Sequence, residues 1–111
     1  MLTVFTGDDW DIIITLKRDG SAYDVSTATE IKASIVDSNS LSPSVVVSPV
    51  VLDSGATGAD WANGVVVVEI PNATTSPLTP QTGWVEVQVE LGGKKQTWPR
   101  QQIDIKTGTI A

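Results

Sequence analysis

Five aspartates crowd the start of the chain: Asp8, Asp9, Asp11, Asp19 and Asp24. Carboxylate oxygens are hard ligands of the kind calcium takes. The spacing, however, does not follow an EF-hand loop, and aspartate collects in turns because its side chain bonds nearby backbone N–H groups. Turn residues are the expected role, and no metal site is assigned. Glu69, Glu86 and Glu90 are the next candidates. Two carboxylates do acid–base work when their environments push their pKa values apart. Here Glu86 and Glu90 alternate with Val85, Val87 and Val89, the pattern of a solvated strand face. Serine and threonine are plentiful, but the chain has no histidine to activate them and no cysteine. Gly55 and Gly58 lack the lysine and helix start of a phosphate-binding loop. The expectation is a protein that is not an enzyme, with no catalytic residue and no cofactor.

The four tryptophans stand against a single Phe and a single Tyr. Trp10 shares the alternation of Ile12, Ile14 and Leu16 and is expected in the core. Trp84 falls on the polar face of its strand. Trp61 lies in a glycine-rich loop, and Trp98 sits beside Pro99 and Arg100. Exposed aromatics with arginine are favoured at protein interfaces. Trp61, Trp98 and Arg100 are therefore interface candidates, the other role being to cap the open ends of a sandwich. Pro77, Leu78 and Pro80 form a second candidate surface in a proline-rich segment, beside the alternative of an inert crossover. Leu2 and Phe5 belong to an edge strand or an arm that docks on a neighbour. Stacking of Trp61, Trp84 or Trp98 on sugar rings, as in a carbohydrate-binding module, is the alternative of a different class.

These residues have to be positioned by strands. Residues 10–17 and 30–37 alternate with period two. Arg18-Asp19-Gly20 between them is a turn signal. Residues 44–52 are valine-rich but contain Pro49, which places that strand at an edge or a bulge. Residues 53–64 read as loop, and 65–70 as an unbroken apolar central strand. Residues 71–83 carry three prolines and read as a crossover between sheets or a projecting loop. Residues 84–91 alternate cleanly, Gly92-Gly93 turns the chain, and 94–106 return with a bulge expected at Pro99. No helix of normal length fits. The fold class expected is all-β: an antiparallel, immunoglobulin-like two-sheet β-sandwich of seven or eight strands. The whole chain, 1–111, reads as a single β-sandwich domain, with an N-terminal arm at 1–6 and a flexible tail at 107–111.

Composition narrows the partners. The net charge of −6 argues against non-specific nucleic-acid binding, which needs a basic face. No apolar run approaches the ~20 residues of a membrane helix, and 1–10 does not read as a signal peptide.

The first third of the chain resembles the N-terminal immunoglobulin-like domains of tailed-phage baseplate and tail-fibre proteins of the baseplate-upper-protein type. The similarity lies in Gly7-Asp8, the strand 12–16, Asp19-Gly20, the bend Asp24-Val25-Ser26-Thr27-Ala28 and the strand 31–35. Gly83-Trp84-Val85-Glu86-Val87 is similar to that family's Gly-x-Tyr-x-x-Glu strand, and Ile103-Asp104-Ile105 to its last strand. The resemblance implies a structural protein of a tailed-phage virion, assembled in the host cytoplasm. It would join other phage structural proteins as a tail, baseplate or fibre adaptor, in a symmetric homo-oligomer or multi-copy assembly. A capsid decoration protein is the alternative placement. The chain starts at Met1 and stops at Ala111, where those relatives continue into receptor-binding parts, so a stand-alone component is expected.

Overall fold

A computed structural model describes residues 2–108. The expected all-β sandwich is the architecture found. Among the described residues there are ten strands rather than seven or eight, because short pairings that the sequence pattern merges are separate strands. They are β1 (Leu2–Phe5), β2 (Trp10–Thr15), β3 (Lys17–Arg18), β4 (Ser21–Ala22), β5 (Glu30–Val36), β6 (Val45–Val51), β7 (Val65–Ile70), β8 (Gln81–Leu91), β9 (Lys94–Thr97) and β10 (Gln101–Lys106). The large sheet runs β1-β10-β8-β5-β6, with β9 also on β8; β2 pairs with β7, and β3 with β4. The run β10-β8-β5-β6 matches the G-F-C-C′ order of an immunoglobulin variable-type sheet, and β2-β7 its B-E pair. The sheets are antiparallel with one exception: β1 lies parallel to β10. Of the two expectations for residues 2–5, an edge strand or a docking arm, the edge strand is the one found: they form the edge of the domain's own sheet. Gly108 N–H donates to Thr6 Oγ1 at 3.1 Å, so the start of the expected tail is tied down. The remainder of that tail, 109–111, lies outside the described residues.

Alternation explains the layers. Trp10, Ile12, Ile14 and Leu16 turn their buried sides, with Val66, Val68 and Ile70, toward the large sheet. The large sheet answers with Ile31, Ala33, Ile35, Val85, Val87 and Val89. In chain order between β6 and β7, where an immunoglobulin variable-type domain has further strands, this chain has the 53–60 loop. The Cβ position of its Gly58 lies 3.8 Å from Ile13 Cδ1 and 3.9 Å from Val67 Cγ2. The loop thereby covers Val67, which is buried although it lies on the outer face of the small sheet.

Two sequence signals land where the prolines put them. Edge strand β6 slips register against β5 on either side of Ile35, and Pro49 sits in the slipped stretch. On the other side of β8, Thr97 faces Gln88 and Gln101 faces Val85. Residues 98–100 therefore span only Glu86 and Val87, a one-residue bulge that divides the expected final strand into β9 and β10.

Gly83 is buried in β8 where three isoleucines converge. A Cβ there would lie 2.9 Å from Ile35 Cγ2, 3.2 Å from Ile105 Cδ1 and 3.3 Å from Ile103 Cγ1. Overpacking of a filled core costs ~1–3 kcal/mol. Gly83→Val is expected to lower stability by about that amount in urea unfolding, whereas Gly55→Ala in the exposed loop stays within ~0.5 kcal/mol of wild type.

Candidate functional site

The interface candidates divide between the two ends of the sandwich. At one end the chain turns at Gly7-Asp8-Asp9 before β2, and the crossover from β7 to β8 lies beside it. The crossover contains a single helical turn, α1 (Asn72–Thr75). Thr75 is fully buried; its hydroxyl donates to Asp8 O at 2.6 Å and accepts from Gly7 N–H at 3.2 Å. Asp9 Oδ1 accepts the Asn72 N–H at 2.6 Å, satisfying a free donor of the helical turn. Trp10 is buried as expected, and its Nε1 donates to Phe5 O at 2.7 Å. This end presents the exposed Pro77 and Pro80, with Leu78 partly packed on the core, and Phe5 close by on β1.

The aspartates have structural partners here. Asp11 lies opposite Glu69, a like-charge pair on the exposed face of the small sheet. Among the described residues no three acidic side chains are grouped to hold a metal ion. Asp19 and Gly20, with φ of 52° and 79°, form the tight turn between β3 and β4. Asp24 Oδ1 accepts from Ser26 N–H at 2.8 Å and from Ser26 Oγ at 2.6 Å. The Ser26 hydroxyl, followed by its N–H, holds the Asp24 carboxyl below its ordinary value.

At the opposite end, Trp61 and Trp98 both meet the 16–25 segment. The single 3₁₀ turn at Trp61–Asn63 offers Trp61 O to Val25 N–H at 2.9 Å. Trp61 is half-buried against the core, and its enclosed Nε1 has no partner among the described residues. Of the two roles open to Trp98, an exposed interface residue or a cap on the sandwich end, the structure has the cap: it is only 7% exposed. Its Nε1 donates to Lys17 O at 3.1 Å, and its ring lies 5.4 Å from Tyr23, with the Arg18 guanidinium 4.4 Å above it. Trp98 continues the alternation of β9 opposite Val87 and so points inward, where it closes the sandwich end and offers no face to a sugar. Trp84 stays half-exposed on the outer face of β8.

Arg100 leaves the bulge after Thr97 in the outward direction. Its Nε donates to Glu86 Oε2 at 2.8 Å, and its Nη1 to Ser40 O at 2.6 Å and Ser38 O at 3.3 Å. Glu86 is therefore an ion-pair partner on a strand face, and Arg100 ties the sheet to the 38–43 loop. Glu90 faces Glu30 across β5 and β8.

The most exposed apolar side chains were not singled out by the sequence. Leu41 is fully exposed, and Val45 and Val51 on β6 and Ile13 on β2 are at least 60% exposed. Leu41 carries one available signal, as the lone aliphatic residue of the run Ser-Asn-Ser-Leu-Ser-Pro. The valines carry none, because an edge-strand valine and a core valine read alike. Compared with known protein families, characterised proteins and solved structures, the chain matches none.

Two measurements check these assignments. Thr75→Val leaves the Gly7 N–H and Asp8 C=O without a buried partner and is expected to cost ~1–3 kcal/mol in urea unfolding. An NMR titration of Asp24 is expected to place its pKa below that of an unperturbed aspartate, and Ser26→Ala to move it back up. The folded state favours the charged form. This contribution is present above the unfolded pKa and is lost as pH falls through the lower, folded value.

Proposed function

We propose that the protein is a non-enzymatic structural component of a tailed-phage particle, joining other subunits as a tail, baseplate or fibre adaptor. One structural observation carries the assembly role. The two outermost strands of the large sheet, β1 and β6, are open edges, and both bear exposed apolar side chains: Leu2 and Phe5 on one, Val45 and Val51 on the other. An unpaired edge is a ready template for another chain, and exposed apolar residues beside it supply contact area. Neither strand carries a charged residue, although Pro49 interrupts the edge of β6 and leaves its side chains as the contact it offers. The phage setting rests on the sequence resemblance. Its turn residues Gly7, Asp19 and Gly20 have the positive φ that such punctuation serves.

Mechanistically this is surface complementarity repeated by symmetry. A rigid sandwich offers the same weak contact many times, and multivalency raises the total affinity without new contacts. The carboxylates bear on the same reading, since Glu86 is committed to Arg100 and Asp9 to α1.

Gold-label electron microscopy of purified particles tests the proposal. Label is expected at the tail tip or neck. Label spread over the head would make the protein a capsid decoration protein instead. Particles with no label would overturn a virion role altogether.

A further inference from the structure

Asn63-Gly64 is the chain's one Asn-Gly step, whereas Asn39 and Asn72 precede serine and alanine. An asparagine before glycine is open to attack on its side-chain amide by the next backbone nitrogen, because glycine has no Cβ to hinder the approach. Asn63 is exposed to water and Gly64 is buried. Both lie at the end of the 3₁₀ turn Trp61–Asn63, where each group the reaction needs is engaged. Asn63 Nδ2 donates to Asp60 Oδ2 at 2.7 Å. Gly64 N–H donates to Trp61 O at 3.1 Å, and Asn63 N–H to Asp60 O at 3.0 Å. Around the turn, Asp60 and Val65 exchange both backbone bonds at 2.9 Å. The helical ψ of a 3₁₀ residue is also wrong for closing a ring between its own side chain and the next nitrogen.

We propose that Asn63 is a site of spontaneous deamidation that the closed turn holds in check, with the Asp60 carboxylate restraining its side chain. The inference is independent of the virion role. The step begins when the turn opens and Asn63 rotates about ψ. Gly64 N loses its proton to hydroxide and attacks Asn63 Cγ. The N–Cγ bond forms, the Cγ–Nδ2 bond breaks, and ammonia leaves with a proton from water. Water then opens the succinimide. Attack at Cγ leaves an aspartate; attack at the backbone carbonyl carbon leaves an isoaspartate, with the chain running through Cγ. The sum is amide and water to carboxylate and ammonium, and nothing is oxidised or reduced. Neither product fits the turn. An aspartate sets a second carboxylate where Asp60 Oδ2 had a donor. An isoaspartate lengthens the backbone just before Gly64, whose Cβ position already lies 2.6 Å from Leu16 O and 2.8 Å from Tyr23 O. The turn in turn ties down the 16–25 segment: Gly64 O accepts from Leu16 N–H at 2.7 Å, and Trp61 O from Val25 N–H at 2.9 Å. Deamidation therefore loosens this end of the sandwich, and the loss of ammonia makes the change permanent.

Peptide mapping by mass spectrometry, after incubation in mildly alkaline buffer, tests the proposal on folded wild type, wild type in guanidinium chloride and folded Asp60→Ala. In the denaturant Asn63 is expected to gain the mass of deamidation ahead of Asn39 and Asn72. In the folded protein its rate is expected to be lower by roughly tenfold or more, because the rate scales with the fraction of open turns. Asp60→Ala removes the bond to the Asn63 amide. It is expected to react faster than wild type when folded and at the wild-type rate in denaturant. Asn63→Asp, which supplies one product directly, is expected to lower the melting temperature and to speed hydrogen exchange at the Leu16 and Val25 amides. An unmodified Asn63 in denaturant would overturn the site. Equal rates in folded and unfolded wild type, a comparison that needs no variant, would overturn the restraint by the turn. Equal rates in folded wild type and Asp60→Ala would overturn the part given to Asp60. Unchanged exchange at Leu16 and Val25 in Asn63→Asp would overturn the loosening.

Discussion

The extra residue in the bulge opposite Glu86 and Val87 fixes the large sheet's outer contacts and part of its core together. Strand side chains alternate with period two, so one inserted residue reverses the facing of everything after it. Before the insertion Gln96 and Trp98 point inward, opposite Val89 and Val87; after it Ile103 and Ile105 do. An uninterrupted strand would send either Trp98 or the two isoleucines into solvent. The bulge keeps all three in the core and releases Arg100 to the outer face, where it meets Glu86 and the 38–43 loop. Pro99 is suited to the insertion because a bulge leaves one residue outside the ladder, and proline has no N–H to donate. One local irregularity thus closes one end of the sandwich with an indole and braces the β5–β6 loop with a guanidinium.

Much of this fold is legible in the sequence because alternation and turn chemistry are local. The faces of β2, β5 and β8 follow from period two, and the inward set found is the set alternation gives. The turns at Asp19-Gly20 and Gly92-Gly93 follow from residues that tolerate positive φ. Pro49 and Pro99 mark real interruptions. Long-range pairing is what local pattern does not carry. Nothing in Leu2–Phe5 indicates that it lies parallel to β10, since that choice is made by a strand about a hundred residues away. Val67 reads as one more valine in an apolar run, and its burial under the 53–60 loop depends on where that loop closes.

The candidate surface divides along the same line. Asp24 is readable as a turn residue because its partner, Ser26, is two positions on. The partners of Asp9 and Asp8, at Asn72 and Thr75, lie more than sixty residues away. For Trp98 the sequence leaves an interface and a cap on the sandwich end open, because its neighbours Pro99 and Arg100 look like loop; the partner that settles it as a cap, Lys17 O, lies far back in the chain. Arg100 is a bridging residue inside the domain, and its role is visible only once β8, β10 and the 38–43 loop are adjacent. Leu41 differs from the valines of β6 in having polar neighbours on both sides, and that contrast is the part of its exposure a sequence can express.

The two open edges are not equivalent, and the difference bears on how a neighbour can attach. A new strand added to a sheet edge needs a regular row of unpaired N–H and C=O groups. On β6 that row is broken by Pro49 and by two slips of register, so a continuous ladder cannot form along it. Attachment there has to run through side chains, and the side chains offered are Val45, Val51 and the braced Leu41. On β1 the four residues have no proline, no slip and no charge, but Phe5 O already accepts from Trp10 Nε1, and Thr6 N–H donates to Lys106 O. What remains is a short ladder with room for two or three bonds. Neither edge supports indefinite sheet growth, and together they offer one side-chain contact and one short backbone contact on opposite sides of a rigid sheet.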